Sequence, residues 1–519
     1  MQVHTLTVGP MVGHTTPYGF RLWGRGPERN DAVGVARIRV AGDSQVLETK
    51  AFLFLKDYDF VGIVDFGSLM EEESNDSLEP ETIYEYEIGW VEGQSANEVA
   101  ANIGNLVWST DEERALVGTV KTFPDPEDAN SATTFLLGSC RDNAFPGDKG
   151  EGTFRAMENA LQHDIGRHTQ FILMTGDQIY IDHSHPLPEP TFKLEKYWKE
   201  YRRAFGRKHF NTVTRRLPTY MMMDDHEVQN DWSRGQYERE KERCWIKEFH
   251  RETFTNATQA FEAYQASLSP VTQSAANFGP SAFPRRSGVD EPSGRYSYKF
   301  RHGQCGFFVL DTRSESTVGK EENSTAKILA DDKELTNWLA DGNEDFKFVV
   351  SPIPVFPDTK NMFGSPKDKW GGAPEQRHNI LKEIFANRTR NPRVIFLSGD
   401  VHVSYVAKLT LNDTDDDDFK IYNVVSSAFN WVPPGLSRGN FAWGNLAEKR
   451  DLSDTKQTEF KSERVLGVGI SSPGHVHKKN NFARITVKGE TVTVEFIRGG
   501  GRFSNDTAGN VMESVELTF

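Results

Sequence analysis

Four short apolar runs in this sequence are each followed at once by cysteine, aspartate or histidine side chains. The runs FLLGS, FILMTG, TYMMM and VIFLSG lead into Cys140, Asp177, Asp224 and Asp400. Continuous apolar runs of about four to eight residues are typical of buried strands. Because loops at the carboxyl ends of strands converge in α/β sheets, we expect an α/β fold whose strand ends form one site.

Each of these strand ends has a simpler explanation when it is taken alone. A Gly-Asp pair after a strand is usually a turn, which would cover Asp177 and Asp400. DDHE at 224–227 also fits a helix N-terminus with Asp225 as its cap. Cys140 alone is more often a small buried hydrophobe. Packing does not explain four such ends in one chain, so we favour a metal site.

Carboxylates dominate the candidate metal ligands. Asp177, Asp225 and Asp400 come first, and Asp224 and Asp182 are further carboxylates in the same motifs. Oxygen donors suit Ca, Mg and Mn, whereas histidine-rich sites suit Zn, Cu and other late transition metals. The ligand chemistry therefore predicts at least one hard cation, with calcium as the first choice.

Three other side chains indicate a second metal of different chemistry. His402 is the imidazole candidate, two residues after Asp400. Cys140 and Tyr180 offer a thiolate and a phenolate, which are strong anionic donors that suit a ferric ion. The alternative for Tyr180 is an aromatic ring packed in the loop. We therefore expect iron beside the hard cation.

The chain divides into two regions with different patterns. Residues 1–125 contain short β-rich runs such as VGVARIRVAG and TIYEYEIGWV, which predict a small all-β sandwich. The polar stretch PDPEDANSA, from Pro124, marks the boundary. From 130 to 519, apolar strands alternate with helical stretches, which predicts an α/β domain. Two domains also suit a length of 519 residues.

Composition narrows the class of protein. The formal net charge is -15, so a broad surface for nucleic acid or anionic membrane is not expected. Three cysteines, an odd and sparse number, imply no disulfide framework. No stretch reaches the roughly 18 apolar residues of a membrane span, and MQVHTLTVGPMVG lacks the features of a signal peptide. We expect a soluble protein, and cytoplasmic and exported locations both stay open.

The motifs resemble those of the PhoD-like alkaline phosphatases, a branch of the calcineurin-like metallophosphoesterase superfamily. The superfamily carries GNH followed by an acid, and GHxH, whereas this sequence has Asp225 in place of Asn and Asp400 in place of the first His. The branch carries Ser-Cys, GDxxY, DDHE with a downstream Asn and Trp, and GDxH. The matching segments here are SCR at 139–141, GDQIYID at 176–182, DDHEVQNDW at 224–232 and SGDVHVS at 398–404.

The resemblance implies a fold, a reaction and a pair of metals. The fold is a four-layer αββα metallophosphoesterase domain over 130–519, preceded by a fibronectin- or immunoglobulin-like sandwich over 1–125. The reaction is hydrolysis of phosphate monoesters, diesters or both by a metal-activated water at alkaline pH. The metals are Fe3+ on Cys140 and Tyr180, and calcium beside it, with Mg, Mn or Zn as alternatives. Ser351 stands where the superfamily usually has a metal-binding His.

The resemblance also suggests roles for individual residues. Asp177 is expected to bridge the two metals. His226 is expected to face the substrate and to stabilise charge or protonate the leaving group, with Glu227 orienting its ring. Arg141 is a candidate to clamp a phosphate oxygen through two hydrogen bonds, and the alternative for it is a surface ion pair. Asn143 is a weaker candidate in the same loop.

Two other functions also fit the sequence. A phosphodiesterase of the phospholipase D type would use the same metals, since only the pocket decides between the two ester classes. A non-catalytic protein that binds carbohydrate or a surface would use the sandwich beside a degenerate metal site. GHVH at 474–477 matches GHxH by letter, but no long apolar run precedes it, so we interpret it as a loop and leave the roles of His475 and His477 open. The expected partner is a small phosphate ester, and the oligomeric state is left open.

Overall fold

The structure is a computed structural model of the 519-residue chain. It describes residues 1–108, 117–126, 128, 131–142, 151–162, 168–182, 193–235, 247–284, 296–319, 325–360, 369–411, 419–431, 440–442, 444–446, 460–468, 470–471, 475–476, 480–500 and 509–519. The helices in these residues are α1 Ala96–Ala101, α2 Gly152–Gln162, α3 Leu194–Phe205, α4 Lys208–Thr214, α5 Lys247–Tyr264, α6 Lys333–Ala340 and α7 Pro374–Ala386.

The strands of the described residues belong to six sheets. Those of the first 125 residues are β1 Val8–Thr16, β2 Gly19–Arg25, β3 Ala32–Val40, β4 Glu48–Leu53, β5 Val61–Gly67, β6 Ile83–Glu92 and β7 Val117–Lys121. The others are β8 Thr133–Gly138, β9 Phe171–Met174, β10 Thr219–Met221, β11 Tyr298–His302, β12 Cys305–Val309, β13 Phe346–Val350, β14 Asp358–Lys360, β15 Val394–Ser398, β16 Ser404–Leu411, β17 Ile421–Val425, β18 Asn440–Ala442, β19 Gly444–Asn445, β20 Phe460–Val468, β21 Ile470–Ser471, β22 His475–Val476, β23 Asn481–Lys488, β24 Thr491–Arg498 and β25 Val511–Leu517.

Two antiparallel sheets occupy the N-terminal region. One has three strands in the order β1-β2-β5, and the other has four in the order β4-β3-β6-β7. Phe20 and Leu22 of β2 share one hydrophobic cluster with Ile38 of β3, so the two sheets face each other. Successive side chains of a strand point to opposite faces. Arg21 and Trp23 accordingly point away from this cluster and contact the rest of the chain.

Two larger sheets carry the strands that lead to the predicted site. A six-stranded sheet has the order β10-β9-β8-β23-β24-β25, and an eight-stranded sheet has the order β11-β12-β13-β15-β17-β16-β20-β19. Strands β8, β9 and β10 run parallel to one another, and so do β12, β13, β15 and β17. Helix α2 lies between β8 and β9 in the chain, which is the strand–helix–strand order expected from the sequence.

The two larger sheets pack against each other through aromatic rings. The ring of Phe135 on β8 lies 5.3 Å from that of Phe307 on β12 and 5.6 Å from that of Phe348 on β13, measured between centroids. The next residues along, Phe308 and Val349, belong to a second cluster shared with α6 and α7. These strands are therefore buried on both faces, which is why they read as continuous apolar runs.

Other elements also match the expectations from local sequence pattern. YWKEYRRAF lies in α3, and its Tyr201 stacks on Tyr264 at the end of α5 with 4.8 Å between ring centroids. RITVKGETVTVEFI forms the antiparallel pair β23–β24. Among the described helices, none combines the length and the apolar character needed to cross a membrane. The mixed α/β class predicted from the strand and helix order is confirmed.

Candidate metal centre

The carboxyl ends of β8, β9 and β15 meet at the edge where the two larger sheets pack. Cys140 follows β8, Asp177 follows β9 and His402 lies just beyond β15. The thiol of Cys140 donates a hydrogen bond to Asp177 Oδ2 at 3.4 Å, and the Tyr180 hydroxyl donates to the same oxygen at 3.0 Å. His402 Nε2 lies 3.3 Å from the Tyr180 hydroxyl. The structure thus brings together residues of three predicted motifs.

Potential metal ligands form three overlapping groups of three residues. Each residue of a group offers one ligand atom, and the three atoms lie within 4.8 Å of one another. The groups are Cys140–Asp177–His402, Asp177–Asp225–His226 and Asp224–Asp225–Asp400. Every member is buried except His402 and Asp400, which are partly exposed. Because Asp177 and Asp225 each belong to two groups, the donors form one continuous set. The end at Cys140 is called the thiol side below, and the end at Asp224 and Asp400 is called the acidic side.

The backbone at four of these residues has the left-handed conformation that L-residues rarely adopt. The φ angle is 58° at Cys140, 58° at Asp177, 63° at Asp400 and 54° at His402. A Cβ atom added to Gly176 would lie 2.3 Å from Cβ of Asp224, so the glycine of this Gly-Asp pair is required by close packing. Non-glycine residues in this region cost about 1–3 kcal/mol each and cluster at functional sites. The four left-handed residues lie together at the strand ends, which fits a functional site there.

Burial favours the neutral forms of the donors on the thiol side. Burial, together with Asp225 and other nearby carboxylates, raises the pKa of Asp177 well above its ordinary value. Burial and the Asp177 charge also raise the pKa of the Cys140 thiol and of the Tyr180 hydroxyl. A bound cation supplies the positive charge that allows such groups to ionise. The donor set is therefore suited to holding a cation.

The acidic side of the site has carboxylate oxygens that lack hydrogen-bond donors. Asp224 Oδ2 and Asp225 Oδ1 are buried and have no hydrogen-bond partner within the described part of the chain. Burial raises the pKa of Asp224 well above its ordinary value, although Arg313 opposes this shift. Buried polar atoms are normally satisfied, so these two oxygens fit a site that receives a metal ion.

Two cations at this side were not among the residues predicted from sequence. Arg313 Nε donates to Asp224 Oδ1 at 2.7 Å, and Lys369 Nζ contacts Asp400 Oδ2. Burial opposes the charge of Asp225, but His226, Arg313 and Lys369 outweigh it and bring the pKa of Asp225 to about 2. Arg313 and Lys369 lie 89 and 31 residues from their partners in sequence. No local pattern therefore connects them to the motifs.

His226 is oriented by Asp182 and not by Glu227 as expected. Its Nδ1 lies 2.8 Å from Asp182 Oδ1, and its ring lies 4.1 Å from that of Tyr180 between centroids. Burial opposes protonation of His226, but Asp225, Asp177 and Asp182 together raise its pKa well above the ordinary value. The carboxylates around the imidazole therefore favour its protonated form.

Arg141 is surrounded by protein in this structure. Its guanidinium lies 3.8 Å from the ring centroid of Phe210, contacts the carbonyl of Ala204 and is 3.8 Å from Glu151 Oε1. Burial lowers the pKa of Arg141 to about 9. This ion pair is buried, whereas the alternative considered for Arg141 was a surface ion pair, and the phosphate clamp stays a prediction.

Several predicted residues lie outside the described part of the structure. Asn143 and His477 are among them, and for His475 only the backbone, in β22, is described. Ser351, where a metal-binding His was expected, donates to the carbonyl of Ile353 at 2.6 Å and accepts from the indole of Trp370 at 3.0 Å. The Ser351 hydroxyl is therefore engaged in two hydrogen bonds within the protein.

Trp431 and Ser427 also contact the donors and were missed by the sequence argument. The ring of Trp431 stacks on His402 with 3.8 Å between centroids, and the Ser427 hydroxyl donates to Cys140 Sγ at 3.1 Å. Both residues lie beyond β17, and neither stands in a strand-end motif rich in acids. Their position beside the donors follows from the pairing of β17 with β15, which the sequence does not show.

The fold and the site together define an α/β protein with a carboxylate-rich candidate metal centre at the strand ends of two packed sheets. Residues 135–477 match the family model described as PhoD-like phosphatase, and the chain belongs to that family. The family recognised from the motifs is thereby confirmed. A search of curated proteins gives no match to this sequence.

A solved structure supports the fold. The structure described as "Structure of PhoD" matches with a TM-score of 0.69 at 16% sequence identity, over 99% of this chain and 90% of that chain. A Streptococcus pneumoniae protein described as a predicted phosphoesterase matches with a TM-score of 0.22 at 8% identity, over 75% of this chain and 98% of that chain. A Lactobacillus rhamnosus beta-glucuronidase matches with a TM-score of 0.24 at 11% identity, over 77% of this chain and 54% of that chain. The last two likenesses are too weak to support an argument.

Proposed function

We propose that this protein is a metal-dependent phosphoesterase of the alkaline phosphatase D type, which hydrolyses phosphate monoesters, diesters or both. The observation that carries this proposal is the position of Asp177. Its carboxylate belongs to one group with Cys140 and His402 and to another with Asp225 and His226. One side chain is therefore available to two neighbouring metal ions, as in the two-metal sites of phosphatases. Membership of the PhoD-like phosphatase family supports the same reaction class.

The chemistry of the donors favours iron on the thiol side and calcium on the acidic side. The residues proposed for iron are Cys140, Tyr180 and His402, those for calcium are Asp224, Asp225 and Asp400, and Asp177 is shared. Asp224 Oδ2 and Asp225 Oδ1, which accept no hydrogen bond from the described residues, support a cation on the acidic side. When bound, such metals neutralise phosphate charge and make water an effective nucleophile near neutral pH. Mg, Mn or Zn are the alternative occupants.

His226 is the residue that we propose to serve the leaving group. Its hydrogen bond with Asp182 fixes the ring, and the surrounding carboxylates keep it protonated. A protonated imidazole can donate its proton to the departing alkoxide oxygen. Arg141 and Asn143 stay candidates for phosphate contact on the sequence argument, and Arg141 would first have to leave Ala204 and Glu151.

The finer architecture is part of the same proposal. We assign residues 1–125 to a fibronectin- or immunoglobulin-like sandwich and residues 130–519 to a four-layer αββα catalytic domain. The shared cluster between the two N-terminal sheets supports the sandwich. The contact of α6 and α7 with the outer face of the eight-stranded sheet supports two of the catalytic layers.

Hydrolysis of p-nitrophenyl phosphate and of bis-p-nitrophenyl phosphate, each with added calcium and with a chelator, tests the proposed reaction. We expect turnover with calcium, and its loss on chelation and in the Asp177→Asn variant. Faster turnover of the diester would favour the phosphodiesterase of the phospholipase D type. Activity that survives both the chelator and Asp177→Asn would refute the metal mechanism. No activity and no bound metal would favour the non-catalytic binding protein.

A further inference from the structure

We propose that Glu227 is a positioning residue of the metal centre and that strand β2 of the N-terminal region holds it through the end of helix α5. The inference rests on the proposed function, because the loops that Glu227 contacts carry the candidate metal ligands. It gives the N-terminal sheets a part in building the site, in contrast to an independent binding module.

Glu227 is fully buried, and its carboxylate receives four hydrogen bonds. Oε2 accepts from the backbone amides of Asp177 at 2.9 Å and Asp224 at 2.8 Å. Oε1 accepts from the backbone amide of Gln178 at 2.6 Å and from Nε2 of Gln265 at 3.0 Å. Three of these donors belong to the loops after β9 and β10. One carboxylate therefore sets the distance between two loops that carry ligand candidates.

A carboxylate is the side chain that this arrangement requires. When ionised it only accepts hydrogen bonds, with about four lone-pair sites for them. A glutamine of the same shape would turn an NH2 group, which donates, toward two of the four N–H groups. The amide of Asp177 is one of the donors, and its residue has the strained φ of 58°. Loss of these bonds would free the conformation that aims Asp177 at the site.

Gln265, the fourth donor, stands between two points that β2 holds. On one side the indole N–H of Trp23 donates to the carbonyl of Ala263 at 2.9 Å. On the other side Nη1 of Arg21 donates at 3.1 Å to the carbonyls of Ser267, Ser269 and Thr272. Trp23 and Arg21 are fully buried. Both flanks of Gln265 are therefore fixed by side chains from the N-terminal sheet.

The alternation of side chains along β2 explains how one strand contacts both the N-terminal core and the segment around Gln265. Phe20 and Leu22 fill the core between the two N-terminal sheets, while Arg21 and Trp23 point to the opposite face. Arg21 is itself anchored, because its Nε donates to Asp65 Oδ1 at 2.8 Å. The strand therefore cannot shift without disturbing either the sheet core or the segment around Gln265.

A matched pair of variants separates a positioning role from general stability. Glu262→Gln is the control, because Glu262 is equally buried, lies on α5 and accepts from the hydroxyls of Tyr58 at 3.2 Å and Tyr296 at 2.8 Å. Calcium alone is titrated calorimetrically into the chelator-treated full chain, and hydrogen exchange is followed in peptides that cover Asp177 and Asp224. We expect Glu227→Gln to weaken calcium binding by about 10- to 100-fold, as outer-shell partners do, and to speed exchange in both peptides. Glu262→Gln should leave both readouts close to those of the wild type.

Trp23→Phe tests the link to the N-terminal sheet, because it keeps a six-membered aromatic ring and removes the five-membered ring whose N–H group donates to the carbonyl of Ala263. We expect calcium affinity to fall by up to about tenfold, which corresponds to the upper end of the net contribution of one neutral hydrogen bond. The double variant Trp23→Phe/Glu227→Gln should lose less than the product of the two single effects, because coupled sites are not additive. Independent, multiplicative losses would overturn the link.

Unchanged exchange in the Asp177 and Asp224 peptides of Glu227→Gln, or equal losses in Glu227→Gln and Glu262→Gln, would overturn the positioning role. If Glu227→Gln does not fold, Gln265→Met carries the same comparison, since it removes one donor and keeps the buried volume. If the wild type binds no calcium, the proposed metals are wrong. The exchange measurement still decides the role of Glu227 in that case, so the two failures are distinguishable.

Discussion

Replacing Arg313 by methionine should destabilise the protein, because it leaves a buried carboxylate without its cation. The side chains of Arg313 and Asp224 are both fully buried. Arg313 Nε donates to Asp224 Oδ1 at 2.7 Å, and Nη1 donates to the carbonyl of Trp232 at 3.1 Å. Methionine has a comparable length but no charge and no donor. Asp224 would then face Asp177 and the other carboxylates of the site without compensation.

Removal of one partner of a buried ion pair costs about 3–5 kcal/mol. Each kcal/mol lowers the unfolding temperature by about 2–4 °C for domains of about 150–250 residues. The expected decrease is therefore about 6–20 °C, with a chain of this length at the lower end. Differential scanning calorimetry of chelator-treated protein measures it. The decrease should be larger at pH 8 than at pH 5, because a carboxyl whose folded pKa is raised by burial takes up a proton as the pH falls and loses its uncompensated charge.

An exposed ion pair provides the control for this substitution. Arg29 pairs with Asp31 at 2.6 Å, with both side chains largely in solvent. Arg29→Met should leave the unfolding temperature unchanged within error, because surface pairs contribute little. Adding Asp224→Asn to Arg313→Met should recover part of the loss, since the unpaired charge is then gone. A decrease below about 2 °C for Arg313→Met, or no recovery in the double variant, would refute the reasoning.

Three further predictions follow from the same contacts. Burial lowers the pKa of His302 to about 3, so below about pH 6.5 the unfolded chain binds a proton at this residue and the folded chain does not. The free energy of unfolding should therefore fall by about 2 kcal/mol between pH 6.5 and 5 because of this group. In thermal melts over this pH range His302→Gln should show a weaker pH dependence, and an unchanged slope would contradict the prediction. Asp182→Asn removes a carboxylate that raises the pKa of His226, so the alkaline limb of kcat should move to lower pH, and an unmoved limb would argue against His226 as the proton donor. Calcium at about 100 times its Kd should stabilise the chelated protein by about 2.7 kcal/mol, and Asp225→Asn should abolish the resulting shift in melting temperature.

The sequence located the candidate site because the signal was local. Asp177, Asp225 and Asp400 each stand two to four residues beyond the end of a buried strand, and parallel strands bring their carboxyl ends to one edge. The order of strands and helices predicted the mixed α/β class for the same reason. The lone Gly-Asp pairs were ambiguous by letter, and the structure distinguishes them from ordinary turns because Asp177 and Asp400 each belong to a group of potential metal ligands.

The sequence did not reveal contacts between residues that lie far apart along the chain or that belong to no motif. Arg313 and Lys369 carry no motif, and their partners lie far along the chain. The direction of a side chain is equally hidden, which is why Arg141, three residues beyond β8, was expected at the phosphate but lies against Phe210. Glu227 was expected to orient His226, whereas its oxygens accept from backbone amides, which no sequence motif marks.

Elemental analysis of the full chain purified without chelators, beside the Asp177→Asn variant, tests the shared metal centre most directly. Asp177 belongs both to the group with Cys140 and to the group with Asp225. We therefore expect iron and calcium in the wild type and a loss of both in Asp177→Asn, with the fold retained by circular dichroism. A wild type without bound metal, or an Asp177→Asn variant that keeps both metals, would contradict the proposal.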